Sequence, residues 1–158
     1  VNLILAALVK LSKKVTSVEE SIASLEKTAD ATVVRVMFTG ISKLADKHVY
    51  SRTIKRDGID WRVGTFRNNN NLALYLDGRN PTGSSFSACT QLQLISYADA
   101  SFVHTKEDLS VPKMFTDKIS RSGSKQFISF TDLYDEKKGF VKDDSILVAA
   151  VIKAYPGQ

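Results

Sequence analysis

Residues 86–96 read "FSACTQLQLIS". Cys89, Gln91 and Gln93 fall on one face of this stretch, and Ala88, Thr90, Leu92 and Leu94 on the other. A period of two belongs to a strand with one face on a core, and no helix sustains it. The same period recurs in "TVVRVMF" (32–38), "HVYSRTI" (48–54), "DWRVGTF" (60–66), "NLALYL" (71–76), "ASFVHT" (100–105) and "SILVAAVIKAY" (145–155). Turn-forming "KRDG" (55–58) and "RNNNN" (67–71) separate some of these. "DGRNPTGSS" (77–85) reads as a hairpin loop around Pro81. Short strands at near-regular spacing predict an all-β, antiparallel sandwich or barrel. Two short helical segments are expected, "GISKLAD" (40–46) and "SFTDLYD" (129–135), the second capped by Ser129 or Thr131.

Residues 1–30 follow a different rule. Ile4, Leu8, Leu11, Val15, Val18, Ile22, Leu25 and Ala29 are spaced alternately by four and three. That is a heptad seam with Leu8, Val15, Ile22 and Ala29 at a, and Ile4, Leu11, Val18 and Leu25 at d. Lys14 at g and Glu19 at the next e can pair between neighbouring helices. The stripe is narrower than a helix lying on its own domain shows. The expectation is an α-helical coiled coil about 40 Å long that makes the chain a homo-oligomer. The mixture of β-branched and Leu residues at a and d leaves dimer and trimer both open.

The chain has 158 residues, 43% apolar and 25% charged, a soluble globular profile large enough for one core. No apolar run reaches the ~18 residues of a spanning helix, and "VNLILAALVKLSKK" lacks signal-peptide features, so no membrane role is expected. Without an initiator Met, the chain is expected to be a piece of a longer one. Cys89 is the single cysteine. It permits no internal disulfide and points to a reducing, cytoplasmic setting. The net charge of +5 is scattered in singles and pairs, which argues against a nucleic-acid partner.

Chemistry-bearing patterns are missing. His48 and His104 sit 56 positions apart without ligand-spaced partners and read as structural or surface residues. H-E-x-x-H, C-x-x-C, G-x-S-x-G and phosphate-binding glycine loops are absent. Asp132, Asp135, Glu136, Asp143 and Asp144 do not match a calcium loop. Cys89 and Trp61 read as core. No catalytic residue, metal site or cofactor is assigned, and the chain is not expected to be an enzyme.

Residues 31–154 resemble the MATH domain, the meprin and TRAF-C homology family. The pieces that carry the likeness are "FTGISKL", "DWRVGTF", "NLALYLDGRNP", "CTQLQLIS" and "SGSKQFISFTDLYDEKKGFVKDDSILVAAVI". The last is the most specific, with Asp143 and Asp144 placed ahead of the final strand as a fold marker that shapes its start through nearby backbone N–H groups. The resemblance implies an eight-stranded antiparallel β-sandwich over 31–158, preceded by the coiled coil of 1–30. A TRAF-like arrangement favours a trimer; nematode MATH proteins, many with a BTB module, are similar in the domain itself.

The family's activity implies a non-enzymatic adaptor. An extended peptide pairs with an edge strand and sends alternate side chains into pockets, while the stalk supplies avidity. Carried over by position, Tyr75 forms the groove floor, Phe102 is a second aromatic, and Ser122, Gly123 and Ser124 meet the peptide. Lys125 reaches a peptide carboxylate and Arg62 offers a cation nearby. This chain departs from the family in two places. Ser122, Gly123 and Ser124 stand where many members have Trp-Gly-Phe, and Asp108, Leu109 and Ser110 replace a triple serine. The departures keep an alternative open: an assembly module for a folded partner or for itself. Another is the substrate-recognition domain of a larger ubiquitin-pathway protein.

Overall fold

The computed structural model describes residues 31–155 apart from 108 and 119. The expected coiled coil, with Ile4, Leu8, Leu11, Val15, Val18, Ile22 and Leu25, lies outside the described residues.

The described chain is all-β, with two antiparallel sheets. In order, the strands are β1 (Thr32–Phe38), β2 (Val49–Tyr50), β3 (Ile54–Arg56), β4 (Ile59–Asn68), β5 (Asn71–Arg79), β6 (Phe86–Ile95), β7 (Val103–His104), β8 (Pro112–Phe115), β9 (Arg121–Ser129), β10 (Val141–Lys142) and β11 (Ser145–Tyr155). One sheet runs β1-β11-β6-β7, with β10 on β11 and β8 on β6. The other runs β2-β4-β5-β9, with β3 on β4.

The count corrects the expected eight strands to eleven among the described residues. Three of them, β2, β7 and β10, have only two residues each. "HVYSRTI" splits because Ser51 turns its side chain into the ladder, where its hydroxyl accepts from Val63 N at 2.9 Å. "DGRNPTGSS" is not a hairpin loop. It carries the chain from β5 in one sheet to β6 in the other, with the Asn80 side chain accepting from Thr82 N and Oγ1. The two helical expectations shrink to a 3-10 turn at Ile41–Lys43 and a short helix, α1, at Phe130–Leu133. Ser129 is its cap, accepting from Asp132 N at 3.1 Å.

The alternation read from 86–96 has its cause in the core. Ala88, Leu92 and Leu94 point inward and are fully buried. From the other sheet come Trp61, Val63, Leu72, Leu74 and Leu76. Trp61 packs edge-on against Phe86 and Phe115. Each such side chain contributes about 1.5–3 kcal/mol on burial, so the two inner faces hold the sheets together. Cys89 is buried and free.

Asp143 and Asp144 form the two-residue turn between β10 and β11, with φ of 52° and 56°. Type I′ hairpins demand that left-handed conformation twice, and Asp tolerates it better than most residues. Asp144 bonds far beyond its own turn: its two carboxylate oxygens accept from Ser42 N at 2.9 Å and Ser42 Oγ at 2.7 Å. Its carbonyl accepts from Ile41 N at 3.0 Å. The pair fixes the 3-10 turn after β1 to the start of the last strand.

Candidate binding groove

The register of β4 on β5 places Arg62 beside Asp77, Gly64 beside Tyr75 and Phe66 beside Ala73. Their sequence neighbours Trp61, Val63, Leu74 and Leu76 face the core, so this set faces outward by alternation. Gly64 leaves room for the Tyr50 ring; a Cβ there would sit 2.9 Å from it. Four rings gather on this face. Phe66 and Tyr75 stack with centroids 6.1 Å apart, and His48 lies 4.4 Å from Phe66 and 5.5 Å from Tyr50.

Two arginines border the rings. The Arg62 guanidinium stands 3.6 Å over Tyr50, and that of Arg121 stands 5.3 Å over Tyr75. Both turn towards Asp77, Arg62 Nε to Oδ2 at 3.3 Å and Arg121 Nε to Oδ1 at 3.4 Å. The Arg121 contact is an ion pair without hydrogen-bond alignment. Arg121 Nη1 also comes within 3.4 Å of His48 Nε2. Partial burial pushes the Tyr75 hydroxyl above its ordinary pKa, against the opposing pull of Arg121. The result is an aromatic floor with guanidinium groups at its margins.

The floor ends at β9, an edge strand of its sheet. Gly123 pairs with Tyr75 there. Its φ is 150°, and a Cβ would lie 2.1 Å from Leu74 O and 2.9 Å from the Tyr75 ring. Only glycine lets β9 come this close, and the Tyr75 ring covers the space a side chain would take. Gly78 N donates to Ser120 O at 2.7 Å. Antiparallel ladders alternate, so the main-chain groups of Ser122 and Ser124 turn to β5, and those of Arg121 and Gly123 turn to the open edge. Further along, His104 Nε2 meets Phe127 O at 2.8 Å and Lys106 Nζ donates to Gln126 O. Those contacts cover the edge at Gln126 and Phe127.

A cleft of about 430 Å³ flanks the open segment, lined by Lys106, Glu107, Val111, Lys113, Ser124 and Phe127. Glu107 bridges the sheets at its back. Its side chain is 7% exposed. Oε1 accepts from Leu92 N at 3.1 Å; Oε2 accepts from Lys113 Nζ at 2.6 Å and from Ser122 Oγ at 2.8 Å.

The residues assigned from sequence therefore separate. Arg62, Tyr75, Gly123 and Ser124 meet at the groove. Lys125 is exposed on β9 just beyond, where its carbonyl accepts from Asn68 Nδ2 at 3.3 Å. Ser122 is 5% exposed and points between the sheets, its hydroxyl held by Glu107, Lys113 and Thr90. Phe102 stacks on Phe140 at 5.4 Å, beside the other sheet. His48, Tyr50, Phe66, Arg121, Lys106 and Lys113 were not assigned from sequence. Arg62, Gly64 and Phe66 share one face by simple alternation, so Phe66 at least was within reach of that rule. Among the described residues, no group of three or more His, Cys, Asp or Glu is placed to hold a metal.

A comparison with protein-family models matches the MATH domain over residues 38–154. No curated protein matches the chain.

Proposed function

The chain belongs to the MATH domain family, and we propose that it is a non-enzymatic adaptor that binds an extended peptide along the open edge of β9. MATH domains are protein-interaction domains, which supports a protein partner. The observation that carries the finer reading is the junction of Tyr75 and Gly123. There an aromatic floor meets a strand edge whose main-chain groups point away from the sheet. Strand addition supplies affinity through those groups, and alternate peptide side chains lie on the Tyr75 floor. Residues 1–30 oligomerise the chain, as a trimer in the TRAF-like arrangement, and avidity compensates for a weak single site. The buried, free Cys89 accords with a reducing cytoplasmic setting.

The test is display panning of the chain against a random peptide library. Binding of the selected peptides should fall about tenfold or more in Tyr75→Ala and Ser124→Trp, with the circular dichroism spectrum unchanged. Selected peptides that bind both variants as tightly as the parent would overturn the groove. Light scattering before and after deletion of residues 1–30 tests the stalk; the same monomeric mass in both would refute it.

One observation favours assembly with a folded partner or a second copy instead. Edge strand β1 leaves Val33 50% and Met37 59% exposed on a β-branched, proline-free strand, the kind of edge that invites pairing. Loss of partner binding in Met37→Lys but not in Tyr75→Ala would favour that use.

A further inference from the structure

We infer that the cleft beside Ser124 receives an acidic side chain, so that the peptide carries Asp or Glu at the position facing it. This rests on peptide addition at β9 and specifies what that peptide must contain.

Among the described residues that line the cleft, the charges do not balance. Its lining holds two lysines, Lys106 and Lys113, and one carboxylate, Glu107. Both oxygens of Glu107 are already occupied, by Leu92 N, Lys113 and Ser122. Lys113 places one N–H on Glu107 and another on Ser122, so one of its three donors is left over. Lys106 donates to a neutral carbonyl, that of Gln126, and the described residues give it no carboxylate within ion-pair reach. The Ser124 hydroxyl accepts from Gln126 N at 3.0 Å and keeps its own proton to donate. Donors therefore converge on the cleft from two ammonium groups and a hydroxyl, with no described acceptor left to meet them.

The strand period makes this a position-specific requirement. A peptide paired with β9 points successive side chains to opposite faces. Its residues at i−1 and i+1 lie on the floor of Tyr75 and Phe66, and the residue at i enters the cleft. In a partly enclosed site a carboxylate gains charge-assisted bonds there that an amide does not. The small Ser124 side chain leaves the cleft open and polar, while Ser122 behind it is taken up by Glu107 and Lys113.

The experiment uses a positional library of heptapeptides blocked at both ends, so that terminal charges play no part, tested on the full chain. Expected is enrichment of Asp and Glu at one position only. Replacing that residue by Gln or Asn should weaken binding about tenfold. Lys106→Glu should abolish the acidic preference and admit Lys or Arg at that position, while sensitivity to Tyr75→Ala persists. Peptides that bind through Tyr75 with no acidic preference, or with one that Lys106→Glu leaves intact, would overturn the cleft assignment and leave the groove standing. Failure of every peptide to bind would overturn both.

Discussion

Replacement of Asp144 by Ala, Gly and Asn separates two things the residue does in the β10–β11 turn. Its backbone has φ of 56°, which costs an ordinary L-residue roughly 1 kcal/mol and glycine nothing. Its carboxylate accepts two bonds from Ser42, at 2.9 Å and 2.7 Å. Both are exposed, so each is worth about 0.5–1.5 kcal/mol net of water. Asp144→Ala loses both bonds and takes on the left-handed strain, about 2–4 kcal/mol in all. Asp144→Gly loses the bonds but not the conformation, about 1–3 kcal/mol. Asp144→Asn keeps the conformation and one acceptor, about 0.5–1.5 kcal/mol. The assay is equilibrium unfolding in urea with a common slope, and the Tm of the Ala variant should fall by about 5 °C or more. Peptide binding should not change in any of them. A Gly variant less stable than the Ala variant, or an Ala variant equal to the parent, would refute the assignment of both roles.

Three further outcomes follow from the geometry. Gly123→Ala forces a Cβ to within 2.1 Å of Leu74 O, so it should destabilise by at least about 2 kcal/mol and raise hydrogen exchange at Leu74 and Leu76; an unchanged unfolding curve would contradict the close approach. Lys113→Met leaves the buried Glu107 carboxylate without its cation and should cost about 3 kcal/mol, near the lower end for a broken buried pair because Lys113 is over a third exposed; adding Glu107→Gln should restore much of it, and a double variant no better than the single would count against the pair. Asp132 is held below its ordinary pKa of 3.8 by the Ser129 hydrogen bond and then by Lys138. Its contribution is therefore present above pH 3.8 and is lost as pH falls through the lower folded value. Asp132→Asn should flatten the acid limb of the stability curve, and an acid limb identical to the parent's would rule the contribution out.

The parts of the fold legible in the sequence are those where the period of two is unbroken. β6, β5 and β11 alternate or run apolar throughout, and Tyr75 stands among Leu72, Leu74 and Leu76 as the outward residue of its set. β9 hides for two physical reasons. Its inward residues Ser122 and Ser124 are polar, because Ser122 is satisfied by Glu107 and Lys113 instead of by apolar contacts. Its register also slips: Ser124 pairs with Leu74 while Ile128 pairs with Leu72, so the bulge between them cancels the alternation. β8 begins with a proline, which reads as a strand's absence until the sheet edge is known. Lys106 and Lys113 lie seven positions apart, the first in a loop, and only the fold brings them to one cleft.

The serine at position 122 explains why that loop matters. Position 122 points between the sheets, where an aromatic side chain would fill space with carbon. Here the space is filled by a buried carboxylate, a lysine and a hydroxyl bonded to one another, and the carboxylate also holds Leu92 N of the opposite sheet. Such a network is stable only while every member is paired, so Ser122→Trp would displace Lys113 from Glu107 and test the fold before it tested the groove. Lys106 has no such duty: its described bond is to a carbonyl at the cleft margin, and removing it orphans no buried charge. The two lysines that line one cleft therefore divide its work. Lys113 is constrained by stability, whereas Lys106 is free to vary with the partner, and a change of ligand preference in this chain should arise first at Lys106.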